Sequence, residues 1–250
     1  MSRFFVSPQD IKEGGKEIVI KGKENHHLCR VMRLRKGESV VVFDGTGKEY
    51  EGIIKQISPQ SSVIEVKKIC QSTEEERTKI ALAQAIPKKA KMAEIIDKTT
   101  QLGVSEIIPM ITERTVSRPK DRSLVLKRWQ RVAIESCKQS GRTELPYIYQ
   151  IIDFKEAVSL AEQYDIALMP CLLGERRSLK ELSLEGVRKI IFFIGPEGGF
   201  TQDEIAFAKQ RKVVLLEMGK RVLRTDTAAI AMVAILTYAT LRKRGFADTY

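Results

Sequence analysis

The stretch that decides the fold runs from Ile190 to Phe200 as IIFFIGPEGGF and resumes from Val213 to Ala228 as VVLLEMGKRVLRTDTA. Each half is a short apolar run, followed by a glycine-rich or basic loop and then by the start of a helix. Apolar runs of this length between Gly and Pro are typical of buried strands in a parallel sheet. We therefore expect both loops at the carboxyl ends of strands, where open α/β sheets bind their ligands.

The two loops differ in chemistry. In the glycine loop, Gly195–Gly199, the missing side chains let a flat ligand approach the main chain, and Thr201–Glu204 is a capping box that begins a helix. The basic loop, Lys220–Arg224, suits an anionic group, and Thr225 after it is the expected N-cap of the next helix. No Gly-Lys-Ser/Thr follows the glycines and their spacing is not G-x-G-x-x-G, so neither standard phosphate motif is present.

Strand and helix alternate from Lys79 onward, which predicts a parallel α/β domain. The helix that ends near Gly103 and the helix around Trp129 each place apolar residues on one face, and we expect Trp129 in the core. The first 70 residues instead read as short strands separated by turns, with a hairpin at Asp44-Gly45. The polar stretch 71–79 fits a linker.

Charge and cysteine usage restrict the class of protein. The formal net charge is +11, and residues 79–149 carry 14 basic but only 7 acidic side chains. A basic stripe of this kind favours binding to nucleic acid through its phosphates. The 4 cysteines are scattered and the 2 histidines lack Cys or acidic neighbours, so neither a disulfide framework nor a metal site is expected. We expect a cytoplasmic protein, since the N-terminus has no apolar signal core and no apolar run is long enough to span a membrane.

Several segments together resemble a known family. GPEGGF (195–200) followed by MGKRVLRTDTA (218–228) resembles the signature of SPOUT-class RNA methyltransferases. With HHLCRVMRLRKG (26–37), KTTQLGVSEIIP (98–109) and QSGR (139–142), the chain is similar over essentially its whole length to the ribosomal RNA small subunit methyltransferase E family. The resemblance implies a homodimeric, metal-free enzyme that uses S-adenosylmethionine to methylate N3 of a uridine in 16S rRNA, on the assembled 30S subunit.

The resemblance also implies a domain organisation. Residues 1–72 would form a PUA-like RNA-binding domain built on a small β-barrel. Residues 73–250 would form a SPOUT methyltransferase domain with a deep trefoil knot, whose knot and cofactor site lie at about 166–230. The knot is implied by the resemblance alone, because true knots are very rare in proteins.

Three groups of candidate site residues follow from the family's loops, from the basic stripe and from the chemistry that the reaction needs. The residues expected to bind the cofactor are Met169, Pro170, Cys171, Leu172, Ile194, Gly195, Pro196, Glu197, Gly198, Gly199, Leu216, Met218, Gly219, Val222, Leu223, Arg224, Thr225 and Ala228. The residues expected to contact RNA are Arg3, His27, Arg30, Arg33, Arg114, Arg118, Lys120, Arg122 and Arg142. No His lies in the C-terminal half. The catalytic candidates are therefore Arg224, as a donor to a uracil oxygen, and Glu197, as a base or as a residue that orients the loop.

Two other functions remain open from the sequence. One is a SPOUT ribose 2′-O-methyltransferase acting on rRNA or tRNA. The other is a non-catalytic RNA-binding or ribosome-assembly protein that has kept the fold.

Overall fold

The structure is a computed structural model that describes residues 1–71 and 77–241. The chain divides into two compact units, Met1–Glu76 with Cys137–Leu145 and Arg77–Ser136 with Pro146–Tyr250. The predicted linker and the predicted domain boundary at residues 72 and 73 fall largely on residues 72–76, outside the described residues. The boundary therefore stays a prediction.

The first unit is built on a five-stranded sheet in the order β1-β3-β4-β5-β2. Only β1 and β3 pair in parallel, and the other neighbours are antiparallel. Leu28, in the helical turns after β2, packs into the core with Phe4 and Ile18. The elements are β1 (Ser2–Phe5), β2 (Glu17–Lys21), α1 (Gly22–His26), a π-helical turn (His27–Val31), β3 (Ser39–Phe43), β4 (Lys48–Ile57) and β5 (Ser61–Gln71).

The second unit is a sheet of seven strands in which every pair is parallel. The strand order is β12-β10-β11-β6-β7-β8, and β9 also pairs with β7. The elements are β6 (Lys79–Ala85), α2 (Lys91–Gln101), β7 (Glu106–Ile111), α3 (Arg122–Ser140), β8 (Tyr147–Ile148), β9 (Ile152–Asp153), α4 (Phe154–Ser159), β10 (Ile166–Pro170), β11 (Lys189–Ile194), α5 (Gln202–Gln210), β12 (Val214–Leu216) and α6 (Thr225–Ala239).

Helices cover both faces of this sheet, which explains the unbroken apolar strands. In β11, Ile190 and Phe192 pack into the cluster that includes residues of α2, α3 and α6, while Ile191 and Phe193 pack into the cluster that includes α4 and α5. Successive strand residues point to opposite faces, so a strand buried on both sides must be apolar throughout. Trp129 lies in the first of these cores and is 5% exposed, as predicted.

The strand order brings four loops to one edge of the sheet. β12, β10, β11 and β6 are consecutive neighbours and parallel, so the loops that follow them all leave from the same side. The helix α6, which follows β12, packs against β6 and α2. None of the helices in the described residues is long and apolar enough to cross a membrane.

Candidate active site

A cavity of about 720 Å³ opens at the carboxyl ends of these four strands. Its walls come from the loops after β6, β10, β11 and β12, from Arg114 in the loop after β7, and from parts of the helices α2, α5 and α6. The lining residues are Lys88, Lys89, Lys91, Arg114, Pro170, Cys171, Leu172, Leu173, Arg176, Ile194, Gly195, Pro196, Glu197, Gly198, Gly199, Phe200, Ile205, Met218, Gly219, Arg221, Val222, Leu223, Arg224, Thr225 and Ala228.

The glycine loop forms a tightly packed wall of the cavity. A Cβ at Gly195 would lie 3.3 Å from the carbonyl carbon of Gly199 and 3.3 Å from the ring of Phe200. Gly199 adopts a φ of 67°, in the left-handed region that glycine enters without strain. A side chain at Gly195 would therefore require Phe200 or the backbone of Gly199 to shift.

Two hydrogen bonds link three parts of the site: the strand β6, the glycine loop after β11 and the start of α6, which follows β12. The hydroxyl of Thr225 donates to the carbonyl of Gly195 at 2.7 Å, and Nε2 of Gln84 donates to the Thr225 hydroxyl at 3.1 Å. Gln84 lies in β6 and Thr225 is the first residue of α6, so the network fixes the glycine loop against both. Thr225 was expected to be the N-cap of α6, and this is wrong: the N-cap is Arg224, with extended backbone. The hydroxyl of Thr225 bonds Gly195 instead of the helix end.

The next helix begins as the sequence predicts. Oγ1 of Thr201 accepts the N–H of Glu204, and Oε2 of Glu204 accepts the N–H of Thr201 at 2.9 Å, which completes the capping box. Oε1 of the same carboxylate accepts the N–H of Glu113 at 2.9 Å. Glu204 thus also fixes the segment that carries Arg114. The guanidinium of Arg114 donates to the carbonyl of Gly198 at 2.7 Å.

Glu197 makes a contact that its position in the sequence does not indicate. Its Oε1 accepts the backbone N–H of Lys88, in the loop after β6, at 2.9 Å. The side chain is exposed at the rim of the cavity. This bond favours the loop-orienting role for Glu197, and its role as a base stays a prediction.

An ion pair joins the starts of two helices at the wall of the cavity. Nζ of Lys91, at the start of α2, lies 2.8 Å from Oδ2 of Asp226 in the first turn of α6. The hydrogen bond from Lys91 is the main reason that the pKa of Asp226 lies below its ordinary value. A carboxylate in the first turn is also favoured by the helix dipole.

The basic loop offers unsatisfied backbone donors to a ligand. Among the described residues, no N–H group from Met218 to Arg224 makes a hydrogen bond within the protein. Most residues of this loop are exposed, so these donors are open to water or to a ligand. The cavity also lies within the range of about 300–1,000 Å³ that is usual for small-molecule sites, with mostly apolar walls. These features fit S-adenosylmethionine, whose adenine edge takes such backbone bonds.

All but two of the predicted cofactor residues line this cavity. The exceptions are Met169 and Leu216, which are 0% and 1% exposed and lie in the two cores beneath it. Sequence reasoning missed the contribution of the segment after β6, where Lys88 and Lys89 lie in the loop and Lys91 begins α2. The pairing of β6 with β11 joins segments about a hundred residues apart, and nothing local in the sequence encodes it. The run PKKAK directly after a strand was the available signal.

The predicted RNA-contacting residues lie in both compact units. In the second unit, Arg114, Arg118, Lys120 and Arg122 are exposed. In the first unit, Arg30 and Arg33 are exposed and His27 is half-buried. Arg3 instead pairs with Glu49, and Arg142 is only 8% exposed. This burial favours a structural role for Arg3 and Arg142, and the other residues stay predictions.

Comparison with known proteins identifies the class. The family model described as an RNA methyltransferase domain matches residues 74–237, and the model of the RNA methyltransferase PUA domain matches residues 20–67. The first match covers more than half of the chain, so the protein is a member of the RNA methyltransferases that this model describes.

Individual relatives identify the family within this class. The chain is 30% identical to the Ribosomal RNA small subunit methyltransferase E of Synechocystis sp., over 93% of this chain and 76% of that protein. It is 28% identical to the protein of the same name from Bacillus subtilis, over 98% of this chain and 99% of that protein. The crystal structure of the Neisseria gonorrhoeae Ribosomal RNA small subunit methyltransferase E bound to S-adenosyl methionine superposes with a TM-score of 0.85, at 29% identity, over 94% of this chain and 96% of that chain. The chain belongs to the ribosomal RNA small subunit methyltransferase E family.

Proposed function

We propose that this protein is an S-adenosylmethionine-dependent methyltransferase that modifies the 16S rRNA of the small ribosomal subunit. The observation that carries the proposal is the cavity at the edge of the parallel sheet, where the glycine loop and the unbonded N–H groups of the basic loop meet. Membership of the family supports the same activity, since related proteins carry that name and one is bound to the cofactor. The finer specificity, N3 of a uridine on the assembled 30S subunit, rests on the family resemblance.

The chemistry expected of the chain's own residues is limited. The cofactor supplies an electrophilic methyl group when bound, so no metal is needed for the transfer. N3 of uracil must lose a weakly acidic proton before it can attack, and a donor near a uracil oxygen would stabilise the anion. Arg224 lines the cavity, is exposed and stands directly before α6. We assign Arg224 this donor role.

A homodimer in the cytoplasm is part of the same proposal. The last helix, α6, buries one face but leaves Ile235 and Tyr238 exposed at 45% and 80%. Apolar side chains exposed together on one helix are suited to cover by a second subunit. Sedimentation equilibrium that gave the mass of a single chain would contradict the dimer.

Cofactor binding can be tested at Gly195. Isothermal titration of the wild-type protein with S-adenosylmethionine should show saturable binding, and Gly195→Trp should abolish it, because the indole must displace Phe200 or fill the cavity. Glu185→Trp is the control, since Glu185 is exposed, does not line the cavity and does not have a positive φ. Its binding should match the wild type. Tight binding of NAD in place of S-adenosylmethionine would contradict the assignment.

The product distinguishes the alternatives that the sequence leaves open. Transfer of a labelled methyl group to small ribosomal subunits, followed by mass spectrometry of the nucleosides, should give N3-methyluridine. A 2′-O-methylated nucleoside would assign the enzyme to the ribose methyltransferases. RNA binding without any cofactor binding would indicate an assembly protein.

A further inference from the structure

The charge of the cavity exceeds what its cofactor requires. Seven cationic side chains line it, and Glu197 is the one carboxylate in the lining among the described residues. S-adenosylmethionine brings a sulfonium and an ammonium against one carboxylate, and so has a net charge of about +1 at neutral pH. One or two cations would suffice for its carboxylate. A positively charged wall disfavours a cationic ligand bound alone, and it indicates that an anionic group also binds in the cavity.

Four of these seven cations make no side-chain hydrogen bond or ion pair with any residue that the structure describes: Lys88, Lys89, Arg221 and Arg224. Lys91 is paired with Asp226, Arg114 donates to the carbonyl of Gly198, and Arg176 is within 3.5 Å of the carbonyl of Cys171. By contrast, the ammonium groups of Lys88 and Lys89 make no hydrogen bond or ion pair with any described residue. Both side chains are exposed and both line the cavity. They are consecutive in the turn Pro87–Ala90, which we name the lysine turn.

The lysine turn is held in place, which a solvated basic loop would not require. Pro87 at its start is buried, and Glu197 accepts the N–H of Lys88 at 2.9 Å. Lys89 adopts a φ of 60°, in the left-handed region that a residue with a side chain seldom enters. Such a backbone conformation persists where the surroundings impose it. The backbone of the turn is therefore held beside the glycine loop, and the exposed side chains of Lys88 and Lys89 extend from it.

We propose that the lysine turn binds the backbone phosphates of the RNA segment that carries the target nucleotide, and that Glu197 positions the turn. The inference rests on the proposed function and adds a phosphate site on the catalytic side of the molecule. Compact ammonium groups act as point charges toward phosphate oxygens, with no demand on sequence. The site thus holds the strand near the cavity, and the choice of nucleotide lies elsewhere.

The experiment compares two charge-matched double variants. Lys88→Gln with Lys89→Gln removes the two ammonium groups, and Lys209→Gln with Lys212→Gln removes two exposed lysines that do not line the cavity. Lys212 is a close match for Lys89, with a φ of 59°. Binding to purified 16S rRNA is measured from 50 to about 300 mM KCl, and S-adenosylmethionine binding is measured by titration. For single-stranded RNA, two lost phosphate contacts should reduce the slope of log K against log[salt] by about 1.4.

The expected result is weaker RNA binding and a smaller salt slope for the lysine-turn variant only, with unchanged cofactor affinity in both variants. An unchanged salt slope would overturn the inference. Loss of cofactor affinity with intact RNA binding would also overturn it, because the lysines would then serve the cofactor's carboxylate. Failure of the wild-type protein to bind S-adenosylmethionine or to methylate small subunits would instead count against the proposed function.

Glu197 provides a second, independent readout. Glu197→Gln keeps an oxygen that can accept the N–H of Lys88, whereas Glu197→Ala removes the acceptor. We expect Glu197→Ala to weaken RNA binding and Glu197→Gln to restore it to near the wild-type value. Equal RNA affinity in the alanine variant and the wild type would contradict the positioning role.

Discussion

At the scale of single residues, the site depends on side chains whose partners are distant in sequence. Gln84 and Thr225 are 141 positions apart, yet one hydrogen bond joins them beneath the glycine loop. Both side chains are buried, at 0% and 6% exposure. A polar group placed there needs its partner, since an unmade buried hydrogen bond costs about 1–3 kcal/mol. Contacts within the protein therefore anchor the glycine loop.

Arg224 lies next to this network and is the residue on which the proposed chemistry depends most. Arg224→Lys keeps the positive charge but loses the planar pair of donors, so it stabilises a uracil anion less well. We expect single-turnover methyl transfer at saturating S-adenosylmethionine to slow by about 10²-fold. Lys220→Arg, on the same loop but not in the cavity lining, is the control. Full activity of Arg224→Lys would remove the donor role.

At the scale of elements, the Lys91–Asp226 pair couples α2 to α6. Because the pKa of Asp226 is lowered in the folded state, its contribution is complete above the ordinary value of 3.8 and is lost as the pH falls through the lower folded value. We expect Asp226→Asn to lower the free energy of unfolding by about 1 kcal/mol at pH 7 and by less at pH 3. Urea unfolding at the two pH values measures this.

A second aspartate in the first turn of a helix separates the contribution of the ion pair to stability from that of the helix dipole. Asp203 also lies in the first turn of its helix, α5, and makes no ion pair with any residue that the structure describes. Asp203→Asn should therefore cost only the dipole contribution, about 0.3–1 kcal/mol. If Asp226→Asn costs no more than Asp203→Asn at pH 7, the pair contributes nothing to stability.

Local sequence signals predicted the helices and strands better than they predicted which strands pair with one another. The capping box at Thr201, the strands β11 and β12 and the end of α2 before Gly103 follow from short-range chemistry and are confirmed. The α/β class and the family also followed from motifs and are confirmed. The pairing of β6 with β11 depends on strand order, and this pairing places the lysine turn beside the glycine loop. Strand order is set by packing over the whole sheet, so it could not be read from any one segment.

At the scale of the whole molecule, the order of the last strands bears on the predicted knot. The chain runs from β11 through α5 to the edge strand β12, which pairs with β10, and then returns to pack α6 against β6 and α2. A path that crosses back over earlier strands is the kind of route from which a knot is made. The knot itself stays a prediction, which no periodicity or composition could have supplied.

The uneven distribution of charge leads to the last prediction, which concerns RNA binding by the whole protein. Arg118 and Arg122 are exposed in the segment where basic residues most exceed acidic ones, and Arg122 is also 3.3 Å from the carbonyl of Ile151. Reversing both to Glu changes the net charge by −4. Because phosphate contacts release counterions, we expect RNA affinity to fall, and the fall to be largest at low salt, while cofactor affinity stays at the wild-type value.

The control for this variant separates the effect of a specific surface on RNA affinity from the effect of the net charge of the protein. Lys209→Glu with Lys212→Glu makes the same change in net charge on exposed residues of the same compact unit. If RNA binding depends on a surface around Arg118 and Arg122, the control should retain most of its affinity for 16S rRNA in filter-binding assays across the salt series. Equal losses in the two variants would mean that RNA responds only to the overall charge of +11, and that this segment faces away from the bound strand.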